Sequence, residues 1–470
     1  MSTSSADRIV QDLQPWIAAA PAGARMPSSR ELAARYGASP VTVQRAMRTL
    51  VGLGLVESRP GAGSFVLGAR THRPSDFGWQ TGALRSAGGR VPLLSTPLRD
   101  AATDAIGLHS GYPARELLPE RLVRAALTRA ARGHGALTRG PATGLPALQS
   151  WFAAELAAAT PPGITPVAAR DVLVVPGTQS GLSSIFRALA TTGSPVVAQS
   201  PTYWGALLAA AQAGVRVVPV ESDAEGPVPE DLGRTLARTG ARLFYAQPTF
   251  ANPSGASWSP ARRDQVLSVV REHGAFLVED DWARDFGIDE APAPLAAFDD
   301  AGHVIHVRSL TKSVSPAVRV GAVIARGPVR DRLLADLAAE SMYVSPVLQA
   351  AATEVVLDPS WRAHLRRLRD QLRERRDLLA RSVAEHMPAA RIERLPRGGL
   401  NLWVRLPDEV DADQLERDCE QEGVLIAAGT EWFPSDPSGP YVRLNYAGPD
   451  PARFPEGTEI IGRAMVRQMR

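Results

Sequence analysis

The sequence predicts an α/β protein in three stretches. A small N-terminal helical domain with a β-hairpin is followed by a linker, then by a large domain with a mostly parallel central sheet and a smaller C-terminal α/β subdomain. Three observations carry this. Residues 26–66 parse as helix, turn, helix and hairpin. Residues 67–100 are dominated by Gly, Pro, Ser and Arg, with no sustained helical or strand period. From about residue 101 onward, short apolar runs alternate with amphipathic segments. The expected boundaries are 1–67, 68–100 and 101–470.

In the first stretch, Ser28 with Glu31 three residues later is a capping-box signature, and Gly37 closes the short helix after Tyr36. Ser39 caps the next helix and Pro40 takes its first position, where no amide hydrogen is needed. Val43, Ala46, Met47 and Leu50 share one face; Thr42, Gln44, Arg45 and Arg48 share the other. Two short helices around a tight turn, the second presenting polar and basic groups, form a helix-turn-helix suited to the major groove. "LVESRPGAGSFV" reads as two strands around a turn holding Gly61 and Gly63, a wing able to approach DNA.

Composition narrows the rest. No apolar run approaches the ~18 residues of a membrane span, and the N-terminus lacks a basic region followed by an apolar core, so no membrane association or secretory signal is expected. One cysteine, Cys419, excludes an internal disulfide and a multi-cysteine metal site, which fits a reducing cytoplasm. The net charge is only +3, but residues 1–90 hold 11 arginines against 5 carboxylates, so the basic excess coincides with the helix-turn-helix.

The repeating runs "DVLVVPG", "SPVVAQS", "VRVVPV", "ARLFYAQP", "AFLVEDD", "HVIHVRSL" and "RVGAVIA" read as strands of a sheet covered by helices, whose ligands sit beyond the carboxyl ends of the strands. Those ends carry the distinctive residues. "VVPGTQSG" aims the free amides of Thr178 and Gln179 at one point, a seat for phosphate. "SPTYWG" supplies Tyr203 to cover a flat ring, and "NPSG" supplies Asn252. "VEDDW" puts Glu279, Asp280 and Asp281 at the end of a buried strand, where carboxylates are costly unless one meets a cation. "RSLTKSVSPAVRVG" holds Ser309, Arg319 and Lys312, the only lysine among 52 basic residues. Arginine replaces lysine in salt bridges and phosphate contacts, but not as an amine that condenses with an aldehyde. One ligand matches the whole set. Pyridoxal 5′-phosphate (PLP) has a phosphate, a flat ring, a protonated ring nitrogen, a ring hydroxyl and an aldehyde.

The run Pro-Ser-Ser-Arg-Glu-Leu-Ala with the wing Arg-Pro-Gly-x-Gly-x-Phe-Val resembles the GntR-type winged helix. That resemblance implies operator binding as a homodimer, with Arg30, Arg45 and Arg48 as DNA contacts. Pro-Gly-Thr-Gln, Ser-Pro-x-Tyr, Asn-Pro-Ser-Gly, Glu-Asp-Asp and Ser-x-x-Lys-x6-Arg-x-Gly, from about residue 101 to the end, look like a fold-type I aminotransferase. The joined chain resembles the MocR family of PLP-dependent transcription regulators. The resemblance makes Lys312 the lysine of the internal aldimine and Asp280 the partner of the pyridine nitrogen. Asn252 would hold the 3′-oxygen, Tyr203 would stack on the ring, and Ser309 and Arg319 would bind phosphate. Arg443 in "YVRLNYA" matches the arginine that grips an amino-acid carboxylate. Two positions depart from the pattern: Trp282 stands where a tyrosine near the 3′-oxygen is common, and Arg139 where an aromatic is common. The expected function is a cytoplasmic regulator sensing a small amine or amino acid through an external aldimine. An active aminotransferase with a DNA-binding domain, or a regulator sensing PLP itself, are the alternatives.

Overall fold

A computed structural model describes residues 4–67, 98–99, 101–102, 104–223 and 225–470. The chain divides into two compact units, residues 1–90 and 91–470. Apart from residues 98 and 99, the expected linker at 68–100 lies outside the described residues.

The first unit contains α1 (Ser5–Ala19), α2 (Ser29–Tyr36), α3 (Pro40–Gly52), β1 (Val56–Arg59) and β2 (Gly63–Val66). The capping box forms at α2: Glu31 N–H donates to Ser28 Oγ at 3.3 Å, and Ser28 N–H donates to Glu31 at 2.7 Å. Gly37 ends the helix in the left-handed conformation. Ser39 caps α3, with Pro40 following. β1 and β2 pair antiparallel from Val56↔Val66 to Arg59↔Gly63. Ile9, Leu13, Ile17, Leu32, Val43, Ala46, Leu50, Val56 and Val66 form one core. The helical period of α3 therefore buries its apolar stripe and leaves Gln44, Arg45 and Arg48 exposed.

In the second unit, β3 (Ile106–Gly107) pairs with a later short strand, and the main sheet follows. Its strands are β4 (Val172–Val175), β5 (Pro195–Ser200), β6 (Arg216–Asp223), β7 (Gly226–Pro227), β8 (Leu243–Ala246), β9 (Phe276–Asp281), β10 (Val304–Ser309) and β11 (Gly321–Ile324), in the order β4-β11-β10-β9-β8-β5-β6-β7. The pairs β9/β10, β8/β9, β5/β8 and β5/β6 are parallel. β11 runs antiparallel to both β10 and β4. Residues 310–320 contain no helix able to cross the sheet, so β11 returns beside β10 like a hairpin arm. β4, β8, β10 and β11 are buried at every residue, which is why β4, β8 and β11 read as continuous apolar runs rather than alternating ones, while β10 also buries His306, Arg308 and Ser309.

The smaller sheet is β12 (Arg391–Ile392), β13 (Asn401–Arg405), β16 (Tyr441–Asn445) and β15 (Ala427–Ala428), in that order; β14 (Val424–Leu425) is the partner of β3. A 26-residue helix, Trp361–His386, leads into this subdomain, and its Leu368, Leu372, Leu379 and Val383 join the second core. No helix among the described residues is long and apolar enough to cross a membrane.

Candidate functional site

Because β5, β8, β9 and β10 run in one direction, their carboxyl ends meet at one edge of the sheet. The cavity there is lined by Tyr112, Thr178, Gln179, Tyr203, Gln247, Asn252, Asp280, Trp282, Ser309, Thr311, Lys312 and Arg319. After β4, Gly177 turns the chain with φ 89° into the helix Thr178–Leu189, leaving the first amides of that helix open. A Cβ on Gly177 would lie 2.8 Å from Arg319 Nη2, so glycine lets the guanidinium lie against the turn. Arg319 itself has φ 48°, a left-handed backbone uncommon outside glycine, and its Nη1 donates to Tyr112 Oη at 3.4 Å. Gln179 Nε2 donates to the Gly205 carbonyl at 2.7 Å, while its buried Oε1 has no partner among the described residues.

The three carboxylates of β9 separate by strand alternation. Asp280 Oδ2 accepts from Tyr245 Oη and from Gln247 Nε2, each at 2.8 Å, and its buried Oδ1 has no partner among the described residues. Burial raises its pKa, opposed by the Gln247 and Tyr245 hydrogen bonds and by the charges of Lys312 and His306. Glu279 accepts from the amides of Leu295 at 2.6 Å and Ala296 at 3.0 Å, and lies 2.9 Å from His306 Nδ1. Asp281 lies between His306 Nε2 at 3.9 Å and Arg284 Nε at 4.0 Å; burial pushes its pKa up to about 6. The three acids are thus paired unequally: Glu279 is fully engaged, both Asp281 oxygens lack hydrogen-bond partners among the described residues, and of the three only Asp280 lines the cavity.

Lys312 Nζ lies 4.1 Å from the centroid of the Trp282 ring and 5.9 Å from that of Tyr112. Burial, with Arg443 and Arg319 adding to it and Asp280 opposing, brings its pKa down to about 8, so a substantial fraction is neutral amine in mildly basic solution. Trp282 donates its N–H to the Phe250 carbonyl at 3.1 Å and so presents an aromatic face to Lys312. Burial pushes the Tyr203 hydroxyl well above its ordinary range. A Cβ on Gly205 would lie 2.4 Å from the Tyr203 ring, so glycine admits that ring. Ser309 Oγ accepts from Thr311 N–H at 3.2 Å.

Arg443 comes from β16 of the smaller sheet and is fully buried. It donates to the His109 carbonyl and, at 3.3 Å, to Asn252 Oδ1, and its guanidinium lies 4.9 Å from the Trp432 ring centroid. Burial brings its pKa down to about 10, opposed by Tyr203 and Glu431. Asn252 N–H donates to Gln247 Oε1 at 2.8 Å, so Gln247 ties Asp280 to Asn252. Tyr112, Tyr245, Gln247 and Thr311 do not stand out in the sequence. A polar residue directly after the apolar run "LFYA" is the available signal for Gln247. Tyr245 carries none, because β8 reads as pure core. Arg139 is exposed and outside this lining.

In the first unit, Arg30, Gln44, Arg45, Arg48, Gly61 and Gly63 are exposed and Thr42 is half-buried. Thr42 N–H donates to Ser39 Oγ at 3.2 Å, and the two hydroxyls lie 2.9 Å apart.

Comparison with known proteins covers both units. Residues 103–461 match the family Aminotransferase class I and II, and residues 5–66 match Bacterial regulatory proteins, gntR family. The HTH-type transcriptional regulator YdfD of Bacillus subtilis is 28% identical over 435 residues, covering 91% of this chain and 89% of that one. The probable rhizopine catabolism regulatory protein MocR of Rhizobium meliloti is 27% identical over 452 residues, covering 95% and 90%. Among solved structures, the α-aminoadipate aminotransferase LysN of Thermus thermophilus, complexed with N-(5′-phosphopyridoxyl)-L-leucine, superposes with a TM-score of 0.74 at 27% identity. That match covers 83% of this chain and 99% of LysN. Fold and family together define a helix-turn-helix transcription regulator fused to an aminotransferase-like domain of PLP-dependent type. The chain belongs to the aminotransferase class I and II family, in its MocR-type, gntR-fused form.

Proposed function

We propose that this chain is a cytoplasmic, homodimeric regulator that holds PLP in the sheet-edge cavity and reports a small amine or amino acid to operator DNA. The observation carrying the proposal is the set of unpaired polar atoms converging on one cavity. Asp280 Oδ1, Gln179 Oε1 and Thr311 Oγ1 are buried without partners among the described residues, and their residues line the same cavity as Lys312. Buried polar atoms left unpaired cost stability, so such a cluster fits a site completed by a polar ligand.

The residues fit PLP group by group. Thr178, Gln179, Ser309 and Arg319 would take its phosphate, Tyr203 its ring face, Asp280 its ring nitrogen and Asn252 its 3′-oxygen. Trp282 would bound the site beside Lys312. When bound, PLP supplies an aldehyde carbon that the Lys312 amine and an incoming amine compete to occupy. Lys312, its pKa brought down to about 8 by burial, is more readily deprotonated than an ordinary lysine and so suited to bond that carbon and to leave it again. The Gln247 and Tyr245 hydrogen bonds favour the ionised form of Asp280 against the burial that raises its pKa, and that carboxylate would favour a protonated ring nitrogen. Arg443 would receive the carboxylate of an amino-acid effector, the forked geometry of guanidinium suiting two oxygens. Through Asn252, Arg443 is linked to the cofactor end of the cavity, so an effector bridging both would pull the smaller sheet against the main one.

The same residues would also begin transamination, and the 2-aminoadipate transaminase of Thermus thermophilus is 29% identical over 361 residues. Screening amines against the holo-protein for a change in the visible spectrum, alongside operator binding and product analysis, separates the two. Spectral and DNA-binding changes without keto-acid turnover support sensing. Steady keto-acid production with no change in DNA binding contradicts it.

A further inference from the structure

The first turn of α3 exposes two side chains, Pro40 and Val41, and both are apolar. Pro40 opens the helix, and helical spacing sets it beside Val43 and Met47, at the edge of the packed face. Thr42 has its hydroxyl 2.9 Å from Ser39 Oγ, inside the cap. Val43 is fully buried in the core of the unit. That leaves Val41, 71% exposed. A β-branched apolar residue there contributes little to the helix, since first turns favour acidic side chains and β-branching restricts rotamers. Helical spacing sets Val41 on the same face as Gln44, Arg45 and Arg48, at i+3, i+4 and i+7. The flanking residues are thus polar or basic and suited to a polyanion.

Resting on the DNA-binding reading of this unit, we infer that Val41 is a specificity-determining residue of the operator complex, packing on the 5-methyl group of a thymine in the major groove. The major groove displays one apolar group, and it distinguishes thymine from the other bases. The N-terminal residues of a recognition helix are those that reach base edges. Arg45 and Arg48 supply charge toward phosphates, which holds the helix in the groove without reading sequence. Val41 supplies the complementary part, a contact indifferent to charge.

The test uses the full-length holo-protein. An operator is first obtained by selection from random duplexes, and each of its thymines is then replaced in turn by deoxyuridine, which removes only the methyl. At one thymine position per recognition helix, wild-type affinity should fall about fourfold, the worth of one methyl buried against an apolar side chain. That penalty should stay constant as salt is raised, while overall affinity falls steeply. Val41→Ala should bind the thymine operator more weakly by a similar factor and be indifferent to uracil at that position. Gln44→Ala should retain the uracil penalty there. Val41 is not part of the unit's core, so Val41→Ala should leave the thermal melt unchanged. The inference is overturned if Val41→Ala keeps the same uracil profile as wild type, or if the two losses simply add. It is also overturned if Val41→Ala changes only oligomeric state, which would make Val41 a protein contact. A holo-protein that selects no sequence would instead sink the DNA-binding reading itself.

Discussion

Tyr245→Phe removes one oxygen atom from the fully buried strand β8 and isolates one contribution to the site. The hydroxyl donates to Asp280 Oδ2 at 2.8 Å, and the ring packs edge-on against Phe186 with centroids 6.3 Å apart. Phenylalanine keeps that packing, so the melt should move little. A buried hydrogen bond to a charged acceptor contributes about 1.5–3 kcal/mol, and losing it favours the protonated carboxyl, so the Asp280 pKa rises further. Burial already raises that pKa. The carboxylate that favours a protonated ring nitrogen is present above the folded-state pKa and lost as pH falls through it. Cofactor affinity of the variant should therefore fall away at a higher pH than in wild type. Below that point it should be weaker by about 10–100-fold. Titrating apo-protein with PLP across a series of pH values, followed by the visible band and tryptophan fluorescence, measures this. An unchanged pH profile at unchanged melting temperature would refute the role given to Tyr245 and weaken that given to Asp280.

Three further outcomes follow from the same structure. Asp280→Asn should weaken PLP binding strongly, whereas Asp281→Asn, which changes a carboxylate between His306 and Arg284 and outside the cavity lining, should leave PLP affinity within a few-fold; reversal of the two would assign the cavity to the wrong carboxylate. Asp281 has a folded-state pKa raised to about 6 against an ordinary value of 3.8, so its contribution to stability is fully present below about pH 3.8 and lost as pH rises through about 6. Asp281→Asn should flatten the stability profile over that window, and denaturant unfolding of apo-protein at a series of pH values checks it. Arg45→Ala with Arg48→Ala should weaken operator binding and reduce the log–log salt slope by about 0.9 for each phosphate that is no longer neutralised, leaving the visible cofactor band intact; an unchanged slope would remove both from the DNA interface.

Where sequence and structure agree, the local physics is strong. The capping box of α2, the Ser39-Pro40 start of α3 and the Gly61–Gly63 turn rest on interactions within a few residues, so short-range rules suffice. β4, β8 and β11 are legible because burial on both faces favours apolar residues, and β9 and β10 because each opens on an apolar run before its buried polar residues. The antiparallel return of β11 is hidden, because strand direction depends on what residues 310–320 fail to form. At the site, the residues that stand out are those anomalous in their surroundings: one lysine among arginines, three acids ending an apolar run. Tyr245 and Gln247 look like core and turn in one dimension, and only the pairing of β8 with β9 brings them to Asp280. Arg443 is marked in the sequence by the family resemblance alone; by its surroundings it is an ordinary strand arginine until β16 is seen delivering it to Asn252 from 191 residues away.

In the proposed function, a small amine is sensed through Lys312 and reported at the operator. Lys312→Arg keeps a cation in the cavity but cannot bond an aldehyde carbon, so it separates nucleophile from charge. The decisive measurement is operator affinity, for wild type and for this variant, as an amine identified by the spectral screen is added to PLP-saturated protein. Wild-type affinity should shift at the amine concentration that changes the visible band, while Lys312→Arg should bind operator as tightly as amine-free wild type and not respond. Full amine response of operator binding in Lys312→Arg would contradict it, reducing Lys312 to a cation.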